Sequence, residues 1–253
     1  MEMTLLETPE HEELLVSTAM AFVMYGQAWV VMPAQKMEAT DLQTAREERL
    51  RAKNLFLRGM GYAERALELR KPGVVGEIYQ DSATAKASLE ADDIPAMFWY
   101  ATALAAAISA DRNDMDMVLD LPIVSLVLNR ALELDEDWNE GAIHERLIPL
   151  TVKGPTGGSG DAEEHLRRAM ELNEGTSVGP MVSFAESVCV QEQDRERFTQ
   201  LLTQAMAFDV DAYPEYRLAN VIAQKHAAWL LSQVDELFYF EPHTWTHLAG
   251  SWE

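Results

Sequence analysis

The sequence predicts an all-α fold of helical hairpins stacked side by side into a superhelix. Three observations predict it. Strict apolar/polar alternation, the mark of a half-buried strand, is scarce. The long apolar runs carry Ala, Leu and Met rather than Val, Ile and Thr. Four short phrases also rhyme: Ala66-Leu67-Glu68-Leu69-Arg70, Ala131-Leu132-Glu133-Leu134-Asp135, Ala169-Met170-Glu171-Leu172-Asn173 and Ala205-Met206-Ala207-Phe208-Asp209. The last three start about 38 and about 36 residues apart, close to the roughly 34-residue period of the tetratricopeptide repeat. The first gap is nearly twice as long, as if one copy had diverged or taken insertions. A phrase of this kind closes the second helix of a hairpin, and a hairpin must stack on neighbours to bury its apolar face. Such a stack makes a surface for holding something rather than a reaction centre.

The elements follow in order. A first helix is expected from about Pro9 to Val31, with Pro33 stopping it. A long helix over about 41–70 carries Leu50, Leu57, Tyr62 and Leu69 as core candidates, and Lys71-Pro72-Gly73 ends it. Residues 74–86 form a short helix or an irregular connection. Asp92-Asp93-Ile94-Pro95 reads as an N-cap with proline in the first turn. It opens a helix holding Phe98, Trp99, Tyr100 and an alanine block to Ala110. Asp111-Arg112-Asn113-Asp114 is a polar turn, and a helix runs from Leu121-Pro122 to the Ala131 phrase. Glu140 to Leu150 is helical. Lys153 to Gly160 is a glycine-rich loop, after which Asp161 restarts a helix. Met181 to Val190 and Glu196 to Phe208 form another pair, and Glu215 to about Phe238 is a long closing helix. Residues 1–253 are expected to form a single α-helical unit, with 1–13 as an N-terminal extension and 239–253 as an aromatic tail.

Charge narrows the function. Forty-two acidic residues face twenty basic ones, for a formal net charge of −22. Such a surface repels phosphate backbones, so no nucleic acid is expected as a partner. An anionic membrane is repelled as well. Leu14 to Gln35 and Ile94 to Ala110 carry no formal charge. The first is long enough to span a bilayer. Its acidic approach (Glu2, Glu7, Glu10, Glu12, Glu13) is the opposite of a signal peptide's basic start. Both stretches are expected to be buried helices, and neither a signal peptide nor a lipobox cysteine is expected in this chain. The single cysteine, Cys189, lies in an apolar run and reads as a core residue.

Motifs for chemistry fail one by one. The loop from Gly154 to Gly160 lacks the lysine of a phosphate-binding loop. Asp111, Asn113, Asp114 and Asp116 lack the glycine and glutamate of a calcium loop. His243 and His247, with Glu241, have a zinc-like spacing, but Pro242 weakens the helix that would align them. No metal site, catalytic residue or cofactor is expected. Trp99 and Tyr100, beside Ala101, Ala103, Ala105, Ala106 and Ala107, either fill the core or form a ligand-facing wall. Asn220, Gln224 and Lys225 interrupt an apolar helix, either bracing a neighbouring loop or lining a cleft.

Several phrases carry a wider resemblance. They are Met97-Phe98-Trp99-Tyr100-Ala101 with Asp111-Arg112-Asn113-Asp114, Arg130-Ala131-Leu132-Glu133-Leu134-Asp135, and Arg217-Leu218-Ala219-Asn220-Val221-Ile222-Ala223-Gln224 with Leu230-Leu231 and Asp235-Glu236-Leu237-Phe238. Together they resemble the T component of bacterial TRAP transporters (the TatT family), over residues 14 to about 238. That resemblance implies an all-helical, tetratricopeptide-like protein that is periplasmic, usually lipid-anchored and homotrimeric. It also implies a periplasmic solute-binding protein as partner, with a lipid or other hydrophobic organic ligand passing between them. Trp99, Tyr100, Asn113 and Asn220 are then the expected ligand-lining residues. The alternative is a general tetratricopeptide scaffold for peptide segments, without small-molecule transfer.

Overall fold

A computed structural model describes residues 1–153 and 158–239. Among them helices dominate and no strand occurs. They are α1 (Glu2–Glu7), α2 (Glu12–Tyr25), α3 (Met32–Met37), α4 (Leu42–Arg70), α5 (Val74–Gln80), α6 (Ser82–Ser88), α7 (Ile94–Ala110), α8 (Met115–Val118), α9 (Leu121–Leu134), α10 (Ala142–Lys153), α11 (Ser159–Leu172), α12 (Gly179–Phe184), α13 (Val190–Glu192), α14 (Arg195–Ala207), α15 (Arg217–Ser232) and α16 (Val234–Leu237). Wide π-helical turns at Gly26–Val31 and Ala185–Cys189 join α2 to α3 and α12 to α13.

The four rhyming phrases end α4, α9, α11 and α14. Their leading alanines, Ala66, Ala131, Ala169 and Ala205, are all fully buried. In the last three the same alanine's carbonyl accepts the N–H of the residue just past the helix (Asp135, Asn173, Phe208). One motif therefore performs two tasks, close helix contact and C-terminal capping. Aspartates open the helices at the other end. Asp41, Asp81, Asp114 and Asp194 each accept the N–H three residues on, a cap worth about 1 kcal/mol.

Packing runs from neighbour to neighbour. Helix α2 packs on α4, α4 on α7, α7 on α9, α9 on α10, α10 on α11, and α14 on both the second π turn and α15. Apolar side chains gather in one cluster from Leu5 to Leu147 and another from Ile148 to Phe238. Helix α10 serves both, giving Ile143 and Leu147 to the first and Ile148 and Val152 to the second. A smaller cluster (Val23, Val30, Ala52, Phe56, Ala103, Ala107) lies where α2, α4 and α7 meet. Fully burying a side chain the size of Phe56 stabilises by about 1.5–3 kcal/mol.

Several expectations need correction. Pro33 does not stop the first helix, which continues through α3 to Met37. The π turn before it bonds the Met32 N–H to the carbonyl of Gln27, five residues back, and this wider turn accommodates a ring that a regular α-turn would reject. Gly26 starts that turn because a Cβ there would sit 2.5 Å from the Phe56 ring.

The charge-free first helix is also half-buried rather than buried. Met20, Met24, Tyr25 and Trp29 face outward, the last two stacked on each other. The span Glu12–Met37 is long and apolar enough to cross a membrane by length and composition, and a third of its apolar window is covered by the rest of the fold.

On α4, Leu50 and Leu69 are exposed, while Leu57 and Tyr62 are partly buried. The buried line is Ala45, Ala52, Phe56, Gly59, Ala63, Ala66 and Leu67, because α2 and α7 approach closely and admit mainly small residues. Residues 74–88 resolve into α5 and α6. Asp93 precedes α7 as expected, but its carboxylate accepts from the Glu90 N–H and the Arg70 guanidinium rather than capping α7. Helix α10 starts at Ala142 because Asn139, Glu140 and Gly141 are left-handed (φ 48°, 56° and 80°). The closing helix starts at Arg217 and breaks at Gln233. The N-terminal extension docks on the body, with Leu5 buried and the Tyr62 hydroxyl donating to Glu2 at 2.6 Å.

Candidate functional site

Helix α7 is the centre of the first cluster. Nearly all of it is buried, as its alanine-rich sequence suggests. At about 100° per residue, Pro95, Trp99, Ala105, Ala106, Ser109 and Ala110 share one sector, and these are the α7 residues that keep some exposure. Trp99 touches both the first cluster and the smaller one. Phe98 meets Trp99 edge-on at 5.1 Å between ring centres, and Trp138 lies 4.9 Å from Phe98 on the other side. The open stripe of α7 thus has an aromatic end and an alanine end.

Tyr100 points away from that stripe. It is buried, and its hydroxyl is paired with that of Tyr79 at 3.2 Å. Burial, then the hydrogen bond to Tyr79, raises its pKa far above the ordinary phenol value, so it stays protonated.

Asn113 is exposed in the turn after α7. That turn is fastened by Lys53, whose ammonium donates to Asp111 at 2.8 Å and Asp114 at 2.7 Å. Two of the carboxylates that suggested calcium in the sequence thereby share one ammonium from α4, which offsets half of their charge. Hydrogen bonds to Asp111 and then Asp114 raise the Lys53 pKa.

Asn220 lies in the other half of the chain. It is buried, its Oδ1 accepts the Val178 N–H at 3.0 Å, and its Nδ2 donates to the Thr176 carbonyl at 2.8 Å. Gln224, one turn on, donates to the carbonyls of Ala205 (3.0 Å) and Phe208 (2.8 Å) at the end of α14. Asn220 pairs the Val178 N–H and the Thr176 carbonyl and Gln224 pairs the Phe208 carbonyl, while the Ala205 carbonyl also accepts the Phe208 N–H. The structure therefore brings Trp99 and Tyr100 onto one helix but onto different faces. Asn113 sits at that helix's far end, and Asn220 lies in the other apolar cluster.

The remaining titratable groups are structural in setting. His144 of α10 and His165 of α11 meet Nδ1 to Nδ1 at 2.8 Å, and His144 Nε2 lies 3.2 Å from Glu136. A single consistent arrangement has His144 donating to Glu136 and His165 donating to His144. Burial, then the neighbouring His144, holds His165 down to about 4. Burial lowers His144 too. Cys189 is buried as expected, and burial pushes its thiol up to about 12, which leaves no thiolate at neutral pH.

Among the described residues no cluster of three or more His, Cys, Asp or Glu could hold a metal ion. His243, His247 and Glu241 lie outside the described residues, as does most of the glycine-rich loop. Two grooves run along single helices. One follows Glu47, Leu50, Arg51, Asn54, Leu55 and Arg58 of α4, with about 470 Å³. The other follows the outer face of α14 from Arg195 to Ala207, with about 930 Å³. Neither includes Trp99, Tyr100, Asn113 or Asn220.

Sequence reasoning missed Lys53, Trp138 and the histidine pair, because each acts through a contact distant in sequence. The family description "TRAP transporter T-component" matches residues 1–238. The chain belongs to that family. A curated relative, an uncharacterized protein of Treponema pallidum (strain Nichols), is 26% identical over 243 residues, spanning 92% of this chain and 74% of the relative. Membership assigns an accessory role in TRAP transport, in a family of transport accessories rather than known enzymes. It also implies a periplasmic or membrane-associated location.

Proposed function

We propose that this T component docks the periplasmic solute-binding protein of a TRAP system and exchanges with it a partly apolar organic ligand, without a covalent step. The open stripe of α7 carries this reading. Trp99, Ala105 and Ala106 keep exposure on a helix otherwise sunk in the core, and aromatic and small side chains of that kind line ligand sites more than solvent faces. Trp99 belongs to the proposed wall; Tyr100 and Asn220 support it by holding α7 and the Thr176–Val178 segment, and Asn113 lies exposed in the turn that follows α7. The strong negative charge suits a partner with a basic docking face, since it raises encounter rates and is screened by salt. A homotrimer, a periplasmic site with a lipid anchor, and one α-helical unit over 1–253 belong to the same proposal.

The test is binding of the purified cognate solute-binding protein by interferometry, together with native mass spectrometry of the chain. A dissociation constant in the micromolar range that weakens with salt, and co-purified lipid or organic acid, are expected. No binding at high micromolar concentration overturns the docking. A ligand-free chain holding a peptide segment instead favours the scaffold reading.

A further inference from the structure

We propose that the outer face of the first long helix, formed by Met20, Met24, Tyr25 and Trp29, seats this protein on the head-group layer of a zwitterionic phospholipid bilayer. This rests on the membrane-associated location and not on ligand exchange.

The face is apolar and open. Its four residues are 38–54% exposed. Tyr25 and Trp29 stack at 6.1 Å between ring centres with their planes 10° apart, so the two rings are presented together. Neither groove described above takes in any of the four. A projecting face of this kind suits a medium that opens around it.

The helix lies along that medium rather than through it. Glu12–Met37 passes as a membrane span by length and apolar composition, but its other side is held by the fold. Leu15, Ala19, Val23 and Val30 are buried, and Gly26 makes room for the Phe56 ring of α4. A helix fixed on one side and apolar on the other lies in the plane of the interface. Tyr and Trp suit the head-group layer because each joins an apolar ring to a polar tip. Lys36, exposed beyond Pro33, has a stem long enough to carry its ammonium back towards phosphate and water.

Charge selects the lipid. Residues 14–35 carry no formal charge. Along the border, charged side chains pair with one another: Arg51 with Glu48 at 2.9 Å, Arg58 with Glu2 at 2.6 Å, and Arg49 with Glu38. Arg51 lies beside Tyr25 and Arg58 stands 5.1 Å over the Phe22 ring, so these pairs edge the first helix itself. The face and its border are therefore close to neutral on a chain of net charge −22. A basic protein partner, the kind that the overall charge attracts, finds no net negative charge here. A bilayer of zwitterionic head groups meets a neutral face without that penalty, while lipid phosphate repels the acidic remainder and so sets the orientation.

The experiment floats the full chain with vesicles of phosphatidylcholine. The parent chain should rise with the vesicles. The double variant Tyr25→Ser with Trp29→Ser should bind them about tenfold more weakly, and Met20→Gln with Met24→Gln about three- to fivefold more weakly. Both variants change exposed positions and should melt within a few degrees of the parent. Replacing a third of the lipid with phosphatidylglycerol should weaken binding at low ionic strength, and added salt should restore it. A parent chain that stays with the buffer, variants that float as well as the parent, or tighter binding to the phosphatidylglycerol vesicles would each overturn the proposal. So would sedimentation showing that the parent self-associates through Tyr25 and Trp29, which would make a second copy the occupant of the face. Interferometry separates this site from the docking reading. A double variant that loses vesicles but keeps the solute-binding protein supports both. A parent chain that floats but binds no solute-binding protein leaves this face standing and overturns the docking. A double variant that keeps vesicles but loses the solute-binding protein assigns the face to that protein and overturns the bilayer.

Discussion

The two halves of the chain spend their polar side chains differently. In the C-terminal half, three amides are tied to backbone. Asn220 holds Thr176 and Val178, Gln224 closes α14, and Gln193 joins the Leu237 carbonyl and the Tyr239 N–H. In the N-terminal half, α7 carries a hydroxyl, that of Thr102, with nothing bonded to it among the described residues, beside a stripe that stays open. A polar residue in an apolar helix is therefore a staple at Asn220 and Gln224 and an unmet donor on α7. Residue type alone does not separate the two; the partner does.

Mutation can break or sharpen this contrast. The largest effect is expected at Asn220. Asn220→Ala leaves the buried Val178 N–H and the partly buried Thr176 carbonyl unpaired and should cost about 3 kcal/mol, read as a lower urea midpoint. If it costs as little as Asn113→Ala, the staple view of the C-terminal half fails.

Next is the histidine pair, which links α10 to α11. The folded chain holds His165 near 4 against about 6.5 unfolded. Between those values the unfolded chain binds the extra proton and the folded chain does not, so stability falls as pH drops from about 6.5 towards 4. The loss should reach roughly 2 kcal/mol by pH 4.5. Thermal melts of the parent chain and of His165→Gln at pH 7.0 and 5.0 check it: the slope should flatten in the variant, above the range where carboxylates titrate.

Gln224→Ala should cost about 1 kcal/mol, the value of a helix-end cap, with local hydrogen exchange rising at the end of α14. Asn113→Ala, on an exposed turn whose fastening is done by Lys53, should stay within about 0.5 kcal/mol. A larger loss there would assign Asn113 a contact that the fold does not give it.

Much of the helix order was legible. The rhyming phrases mark the ends of α4, α9, α11 and α14, because one alanine-led motif answers the same demand for close approach and capping each time. The burial of α7 was legible from its composition. Which face of α4 turns inward was not: Leu50 and Leu69 have the right period, but period fixes a stripe and not the helices that cover it. The π turns were hidden because one extra residue inside a helix changes no composition. Of the expected wall, Trp99 lies on the open stripe, whereas Asn220 resembles a cleft amide in sequence and takes its loop-bracing place only through residues some 42 to 44 positions away. Thr102 could not be singled out, since its distinction is a bond it lacks.

Lys53 has a last consequence. An ammonium group seated between Asp111 and Asp114 gives the corner after α7 its own built-in counter-ion. Chelators and calcium should leave that corner's shape alike, and its geometry should hold whether divalent ions are scarce or plentiful.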